Sequence, residues 1–209
     1  MNGKIVLIDG CRTPFLRAGT EFMNVMSYEL GQMAIQGLLA KTGIDKNSID
    51  SVILGTVISN LKTSNVAREA ALTAGIPNTT PCHTVTQACI SANRAIVAAI
   101  GEISTGQAEI VIAGGVDCSS DTPIGYKKKM RNKLFKSQKI KTIGDQLKFI
   151  TSLRIRDFLP ETPSITEFTT GKTMGQDCDV LAAKHGVSRK DQDIFAINSH
   201  DLAQKAWDE

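Results

Sequence analysis

Residues 84–107 read TVTQACISANRAIVAAIGEISTGQ. The stretch opens on β-branched residues, passes Cys89, and becomes an Ala-rich helical pattern that Gly106 is placed to stop. A strand feeding straight into a helix is the repeating unit of a layered α/β protein. The same alternation runs outward from it. "KIVLID" (4–9), "SVILGTVI" (51–58), "HTVTQ" (83–87) and "EIVIAGG" (109–115) read as strands, with "SYELGQMAIQGLLAKTG" (27–43) and "SNVAREAALTAG" (64–75) as helices between them. Ser27, Ser64 and Ser91 are plausible helix caps, and Gly43, Gly75 and Gly106 are plausible stops.

Short apolar strands separated by helices of about three turns are buried on both faces, which calls for a mainly parallel sheet. The expectation is therefore a layered α/β/α domain over residues 1–118. Residues 119–209 break the pattern and are expected to form a separate, incomplete helical unit. They contain a basic segment, the proline-containing "DFLPETPSITEFTTG" (157–171), and two helical stretches. The last helix is announced by Ser188 with Asp191 three residues on, a capping-box-like start ahead of Ile194, Phe195, Ile197, Leu202 and Ala203. "AQKAWDE" (203–209) then ends in mid-pattern without Gly or Pro, as a sequence truncated within a larger protein would.

With 42% hydrophobic and 22% charged residues, the chain sits near the globular average, so neither disorder nor a fibrous repeat is indicated. "MNGKIVLIDG" is too short in apolar residues for a secretory signal, and no apolar run is long enough to span a membrane. Five cysteines, odd in number and without a C-x-x-C pair, argue against a disulfide framework and for free thiols in a reducing compartment. Charge is uneven: eight of the 24 basic residues fall between Lys127 and Lys141, in a segment with no acid, and the remainder is net acidic. Such a run is commonly a solvated face; interleaved Leu134, Phe135 and Ile140 also suit an anionic lipid surface or a partner subunit. Aromatic residues, at 5%, are too scarce for a base-stacking nucleic-acid surface.

Cys89 has two readings. A free cysteine in an α/β core is commonly a small buried hydrophobe. A cysteine at the start of a helix instead meets free N–H groups and the positive dipole end, which favour a thiolate and can hold an oxyanion. Small neighbours Ala88, Ser91 and Ala92 leave room for a thin substrate. A nucleophile also needs a base, and none of His83, His185 and His200 is an obvious partner. His83 lies six residues upstream along an extended strand, His185 precedes Gly186 at a helix end, and His200 lies within a helix. Cys82, His83 and Cys89 match no zinc-ligand spacing, so no metal site is expected.

Taken together, "DGCRTPFLRAGTEF" (9–22), "NVAREAALTAGIP" (65–77), "TVTQACISANRAI" (84–96), "AGGVDCSSDTPI" (113–124) and "MGQDCDVLAAKHGVSRKDQDIFAINSH" (174–200) resemble, in order, the thiolase family over essentially the whole chain. The insert that begins at Tyr126 looks most like the thiolase subunits of fatty-acid oxidation trifunctional complexes. The resemblance implies a thiolase-type fold and an acetyl-CoA C-acyltransferase that cleaves 3-ketoacyl-CoA with CoA in fatty-acid β-oxidation. It implies that Cys89 carries the acyl thioester, its own backbone N–H serving in the oxyanion hole, and that Met174 lies near the acyl-pantetheine tunnel. Thr173 stands where other thiolases often have a histidine. No resident cofactor is implied, CoA being a co-substrate. The implied partners are a second copy in a homodimer, a hydratase/dehydrogenase α subunit, and a peripheral membrane contact through residues 127–141. The implied location is bacterial cytoplasm or mitochondrion. The family's Gly-His-Pro segment and second cysteine do not occur in residues 1–209, so the C-terminal thiolase domain is expected to be absent and the chain alone inactive. A non-catalytic CoA-binding scaffold and a biosynthetic condensing thiolase remain the alternatives.

Overall fold

A computed structural model describes residues 4–161 and 164–208. Residues 1–3, where the N-terminal reading begins, and 162–163, inside the proline-containing segment, lie outside the described residues. The chain groups into two compact units that divide between Glu161 and Thr162. The residues from 119 to 161 thus group with the sheet.

The first unit is built on three strands, β1 (Ser51–Gly55), β2 (Cys82–Val85) and β3 (Val111–Gly115), in the order β2-β1-β3. Both pairings are parallel, with Val52 opposite Cys82 and Ile112. Helix α1 (Ser27–Thr42) precedes β1, α2 (Val66–Thr73) joins β1 to β2, and α3 (Ser91–Ser104) joins β2 to β3. Because successive strand residues face opposite ways, β1 feeds two cores. Val52 and Leu54 pack with Ile35, Val66, Ala67 and Ala70 of α1 and α2, whereas Ile53 packs with Ala95 and Ala99 of α3. All five β1 residues are buried, as expected of a central strand covered on both faces. The α/β/α layering and the parallel sheet follow the sequence reading.

The helix signals hold to within a residue. The N-terminal partner of α1 is Met26, whose N–H donates to Glu29 at 2.7 Å, and that of α2 is Asn65, whose side-chain Oδ1 accepts from Arg68 N. Gly43, Gly75 and Gly106 all adopt left-handed φ (67°, 88° and 73°) at the ends where they were expected.

One expected strand does not form. Residues 4–9 belong to neither sheet, and Val6, Leu7 and Ile8 are exposed. They border an apolar cleft of about 350 Å³ whose other walls include Leu38, Ile96, Ile100 and Val111. A continuous apolar run without period-2 alternation identifies an extended buried-type segment but carries no information on pairing. Here the segment shares a cleft with β3 without joining its ladder.

After β3, a two-residue ladder joins β4 (Gly125–Tyr126) to β5 (Pro160–Glu161), and between them lie α4 (Lys128–Ser137) and α5 (Ile143–Ser152). Thr142 caps α5 by accepting from Asp145 N. The insert is tied together by Asp157, which is 5% exposed and sits in the 3₁₀ turn Ile155–Phe158. Its carboxylate accepts from Lys133 Nζ at 2.6 Å and from Arg154 N at 3.0 Å, and Lys129 Nζ lies 3.7 Å away. Lys133 also donates to the Ser152 carbonyl at the end of α5, so one ammonium fastens α4 to both following elements.

In the second unit, α6 (Met174–Lys184) starts from a reciprocal cap in which Gln176 N donates to Thr173 Oγ1 and Thr173 N donates to Gln176 Oε1. Gly186, with φ 65°, leads to α7 (Arg189–Asp208), whose start carries the expected Ser188–Asp191 bond at 2.6 Å.

The Lys133 hydrogen bond, with the Arg154 N–H and Lys129, holds the Asp157 carboxyl below the ordinary 3.8. A depressed folded-state value means that the contribution is complete above the unfolded-chain value and is lost as pH falls through the folded one. Amide hydrogen exchange in α4 and α5 should therefore accelerate as pH drops below 3.8, after correction for intrinsic exchange. Asp157→Asn should show the faster exchange already at neutral pH and lose the acid dependence; an identical acid response in both proteins would contradict this assignment.

Candidate active site

Strand β2 ends at Val85 and α3 begins at Ser91, leaving a short turn that contains Gln87, Ala88, Cys89 and Ile90. Ala88 has φ 46° and is the one non-glycine with positive φ among the described residues. Such a conformation costs a non-glycine residue about 1–2 kcal/mol and persists only where its surroundings impose it.

Ser91 is the main local constraint. It is 4% exposed; its Oγ accepts from Gln87 N at 2.8 Å and donates to the Ala88 carbonyl at 2.7 Å. The Ser91 amide donates to that same carbonyl at 3.1 Å, and Ile90 N donates to the Gln87 carbonyl. One small side chain thus fastens both ends of the Gln87–Ala88 pair, and Cys89 is presented outward. Cys89 is exposed, unlike a cysteine that serves as a small buried hydrophobe. Ser91 is not the helix cap the sequence suggests. The N-cap is Ile90, and Cys89 stands one residue before it rather than within the first turn.

The turn rests on a platform at the carboxyl ends of the strands, the edge where open α/β sheets place their ligands. A Cβ on Gly55 would overlap the Ser91 carbonyl group and stand 2.6 Å from Ala92 N, and one on Gly115 would stand 2.7 Å from Ala92 Cβ. Only glycine lets the first turn of α3 descend this far onto β1 and β3. Below the turn, Thr56 N donates to the Val85 carbonyl, and the Thr56 carbonyl lies 3.5 Å from Ser91 Oγ. Asp117, just past β3, accepts at Oδ1 from Thr56 Oγ1 (2.9 Å), Val57 N (3.0 Å) and Ile58 N (2.7 Å).

The other cysteines differ in setting. Cys82 packs against the α1–α2 core, its thiol donates to the Thr80 carbonyl, and burial pushes that thiol up, away from thiolate. Cys118 is buried, while Cys11 and Cys178 are exposed but outside any comparable turn. A cavity of about 490 Å³ lies between residues 9–16, α1 and β3; its lining includes Cys11 and not Cys89.

His83 Nδ1 lies 3.9 Å from Glu102 on α3, and His185 and His200 belong to the second unit at the end of α6 and within α7. Met174 is the first residue of α6, half-exposed. Among the described residues no group of three or more side chains could hold a metal ion. Gly55, Gly115, Ser91 and Asp117 escape the sequence reading as site residues. "AGG" before Asp117 and "LG" before Thr56 were the available signals, since both put glycine at the carboxyl end of a strand.

The profile described as "Thiolase, N-terminal domain" matches residues 5–209. "Trifunctional enzyme subunit beta, mitochondrial" of Homo sapiens is 48% identical over 205 residues, covering 98% of this chain and 43% of that protein. "Probable 3-ketoacyl-CoA thiolase" of Caenorhabditis elegans is 46% identical over 97% of this chain and 45% of its own length. The corresponding figures for "3-ketoacyl-CoA thiolase" of Vibrio cholerae are 39%, 99% and 47%. Among solved structures, the Bacillus anthracis acetyl-CoA acetyltransferase superposes with a TM-score of 0.69 at 28% identity, covering 91% of this chain and 44% of that one. The chain thus spans less than half the length of the relatives it matches. From the profile match and these identities, the chain belongs to the thiolase family, within that family's N-terminal domain.

Proposed function

We propose that this chain supplies the nucleophilic half of a thiolase active site, with Cys89 as the acyl carrier in the cleavage of 3-ketoacyl-CoA by CoA. The observation that carries the reading is the exposed Cys89 on the Ala88 turn at the foot of α3. A thiolate there attacks the 3-keto carbon; the bond between C2 and C3 breaks, and the departing acetyl-CoA carbanion takes up a proton. The shortened acyl group stays on sulfur as a thioester until a CoA thiol, giving up its proton, attacks that carbonyl and displaces the Cys89 thiolate. Transfer between two sulfurs is nearly balanced, which suits a reaction that must run through two acyl transfers.

The backbone N–H of Cys89, next to the positive end of α3, is proposed to stabilise the oxyanion formed in each step. Met174, at the start of α6, is proposed to border the acyl-pantetheine path. The base that takes the Cys89 proton is not supplied by His83, which faces Glu102. In this reading it belongs to a part of the active site beyond these residues, and the 209-residue chain alone is inactive. β-Oxidation and the degradative direction, no resident cofactor, and a homodimer complete the proposal. The homodimer is supported by the sheet edge that β2 leaves open.

Membrane contact by the insert rests on a separate observation. Ile143, Leu147 and Ile150 recur at helical spacing on α5 and are 78%, 59% and 61% exposed. Phe135 of α4 is exposed, and Lys136, Lys139, Lys141 and Lys148 lie nearby in sequence. An apolar helix face among cations fits the interface of an anionic bilayer, each cation adding about 1 kcal/mol near the surface. No helix among the described residues is long and apolar enough to cross a membrane, so the contact proposed is peripheral. The name of the trifunctional β-subunit relatives also supports an α subunit as a partner.

Two measurements test these proposals. Intact-mass analysis after incubation of the full protein with a 3-ketoacyl-CoA should show an acyl adduct that is lost in Cys89→Ser. An undiminished adduct in that variant would reject Cys89 as carrier, and no adduct in either protein would favour the CoA-binding scaffold. In sedimentation with vesicles, binding to phosphatidylglycerol-containing bilayers should exceed binding to pure phosphatidylcholine, and Leu147→Glu should reduce it by about tenfold. Equal binding to both lipids, or none, would leave the α5 face to a protein partner.

A further inference from the structure

Asp117 takes no part in the acyl transfer described above, yet its carboxylate is the most heavily used acceptor at the carboxyl edge of the sheet. A single oxygen, Oδ1, accepts from one hydroxyl and two successive amides, Thr56 Oγ1, Val57 N and Ile58 N, with Oδ2 3.2 Å from Val57 N. All three donors belong to the segment that leaves β1, whereas Asp117 belongs to the segment that leaves β3. The two strand ends are thereby locked to each other, a connection reinforced by the bond from Val116 N to the Gly55 carbonyl at 2.9 Å.

What is locked lies directly beneath the Cys89 turn. Thr56 donates its N–H to Val85, the last residue of the strand that feeds the turn, and its carbonyl lies beside Ser91 Oγ. Ser91 in turn holds Gln87 and Ala88. Gly55 and Gly115 leave no spare space between this platform and the first turn of α3. A shift of Thr56 is therefore passed to the Ser91 hydroxyl, which bonds the Ala88 carbonyl. Charge-assisted bonds from backbone N–H groups to a carboxylate are roughly twice as strong as neutral ones, which suits Asp117 to the task.

We propose that Asp117 is a positioning residue for Cys89. It acts through Thr56 and Ser91 to hold the Ala88 turn, and with it the sulfur, in the outward-facing geometry from which it reacts. The proposal rests on the reading of Cys89 as the nucleophile, and it extends the site to a residue that neither touches substrate nor carries charge to the sulfur. The reactive geometry is then a property of two strand ends clamped together, not of the turn alone.

The test is site-resolved alkylation of the full chain with iodoacetamide at mildly alkaline pH, each cysteine being quantified by peptide mass spectrometry. Cys11 and Cys178, both exposed, serve as internal references, and Cys118, which is buried, reports any general loosening. Asp117→Ala should slow labelling of Cys89 by about tenfold relative to Cys11 and Cys178, because a sulfur no longer held outward is less open to the reagent. Cys118 should stay protected. Asp117→Asn keeps an oxygen at the Oδ1 position and should restore the Cys89 rate to within about twofold of the unsubstituted chain. An unchanged Cys89 rate in Asp117→Ala overturns the proposal, as does a rise in Cys118 labelling that accompanies the loss. Equal slowing in both variants also overturns it, since acceptor geometry would then not be the cause. Acyl-adduct formation is scored separately: an adduct with no effect of Asp117→Ala rejects the positioning role alone, and a slowed Cys89 without any adduct rejects the acyl-transfer reading alone.

Discussion

The seat of α3 on the sheet is the constraint from which the rest of the first unit follows. The backbone of Ser91 and Ala92 lies against Gly55 and Gly115 at a distance that no Cβ could occupy. With the helix this low, the chain leaving β2 has only a few residues in which to rise and reverse into α3. The left-handed Ala88 and the inward-turned Ser91 hydroxyl solve that local problem. Conformational strain of about 1–2 kcal/mol at Ala88 is offset by the hydrogen bonds that the buried Ser91 hydroxyl makes to Gln87 and Ala88. Cys89, which follows that reversal, is exposed. The position of Cys89 and the packing of α3 are set by the same contacts.

The insert follows a different logic, in which charge replaces apolar burial. Few of its residues are buried, Met130 among them, and its elements are fastened by Lys133, Lys129 and Arg154 around the Asp157 carboxylate. Arg131 reaches Glu161 on β5 at 3.6 Å, an exposed pair worth well under 1 kcal/mol. The basic run is therefore not uniform. Lys133 serves the fold from a mostly buried position, while the outer cations lie near an exposed apolar face of α5. A sequence with eight basic residues in fifteen gives no hint of this division, because it depends on which lysine meets the buried Asp157.

Much of the fold was readable because its signals are local. Three of the four strand runs, the parallel pairing, and the glycine ends of α1, α2 and α3 depend on composition within a few residues. The failure at residues 4–9 is equally physical: pairing is decided by the neighbour, and an apolar run does not name one. At the site, Cys89 stood out as a cysteine at a strand-to-helix junction. Ser91 was visible only as a cap because its actual partners, Gln87 and Ala88, precede it in a turn of unforeseen handedness. Asp117 and Gly55 are 62 residues apart in the chain, and their meeting at one sheet edge is a product of strand order, which no local pattern encodes.

The seating of α3 is tested most directly by comparing two glycine substitutions in urea unfolding. Gly55→Ala places a methyl group against the Ser91 backbone and should destabilise the chain by about 3 kcal/mol, with an unchanged slope. Gly101→Ala, at a position within α3 where an added Cβ meets nothing within 4 Å, should stabilise it by about 0.5–1 kcal/mol. A Gly55→Ala protein as stable as the parent would contradict the account, because α3 would then have room to spare above β1 and the Ala88 turn would need another cause.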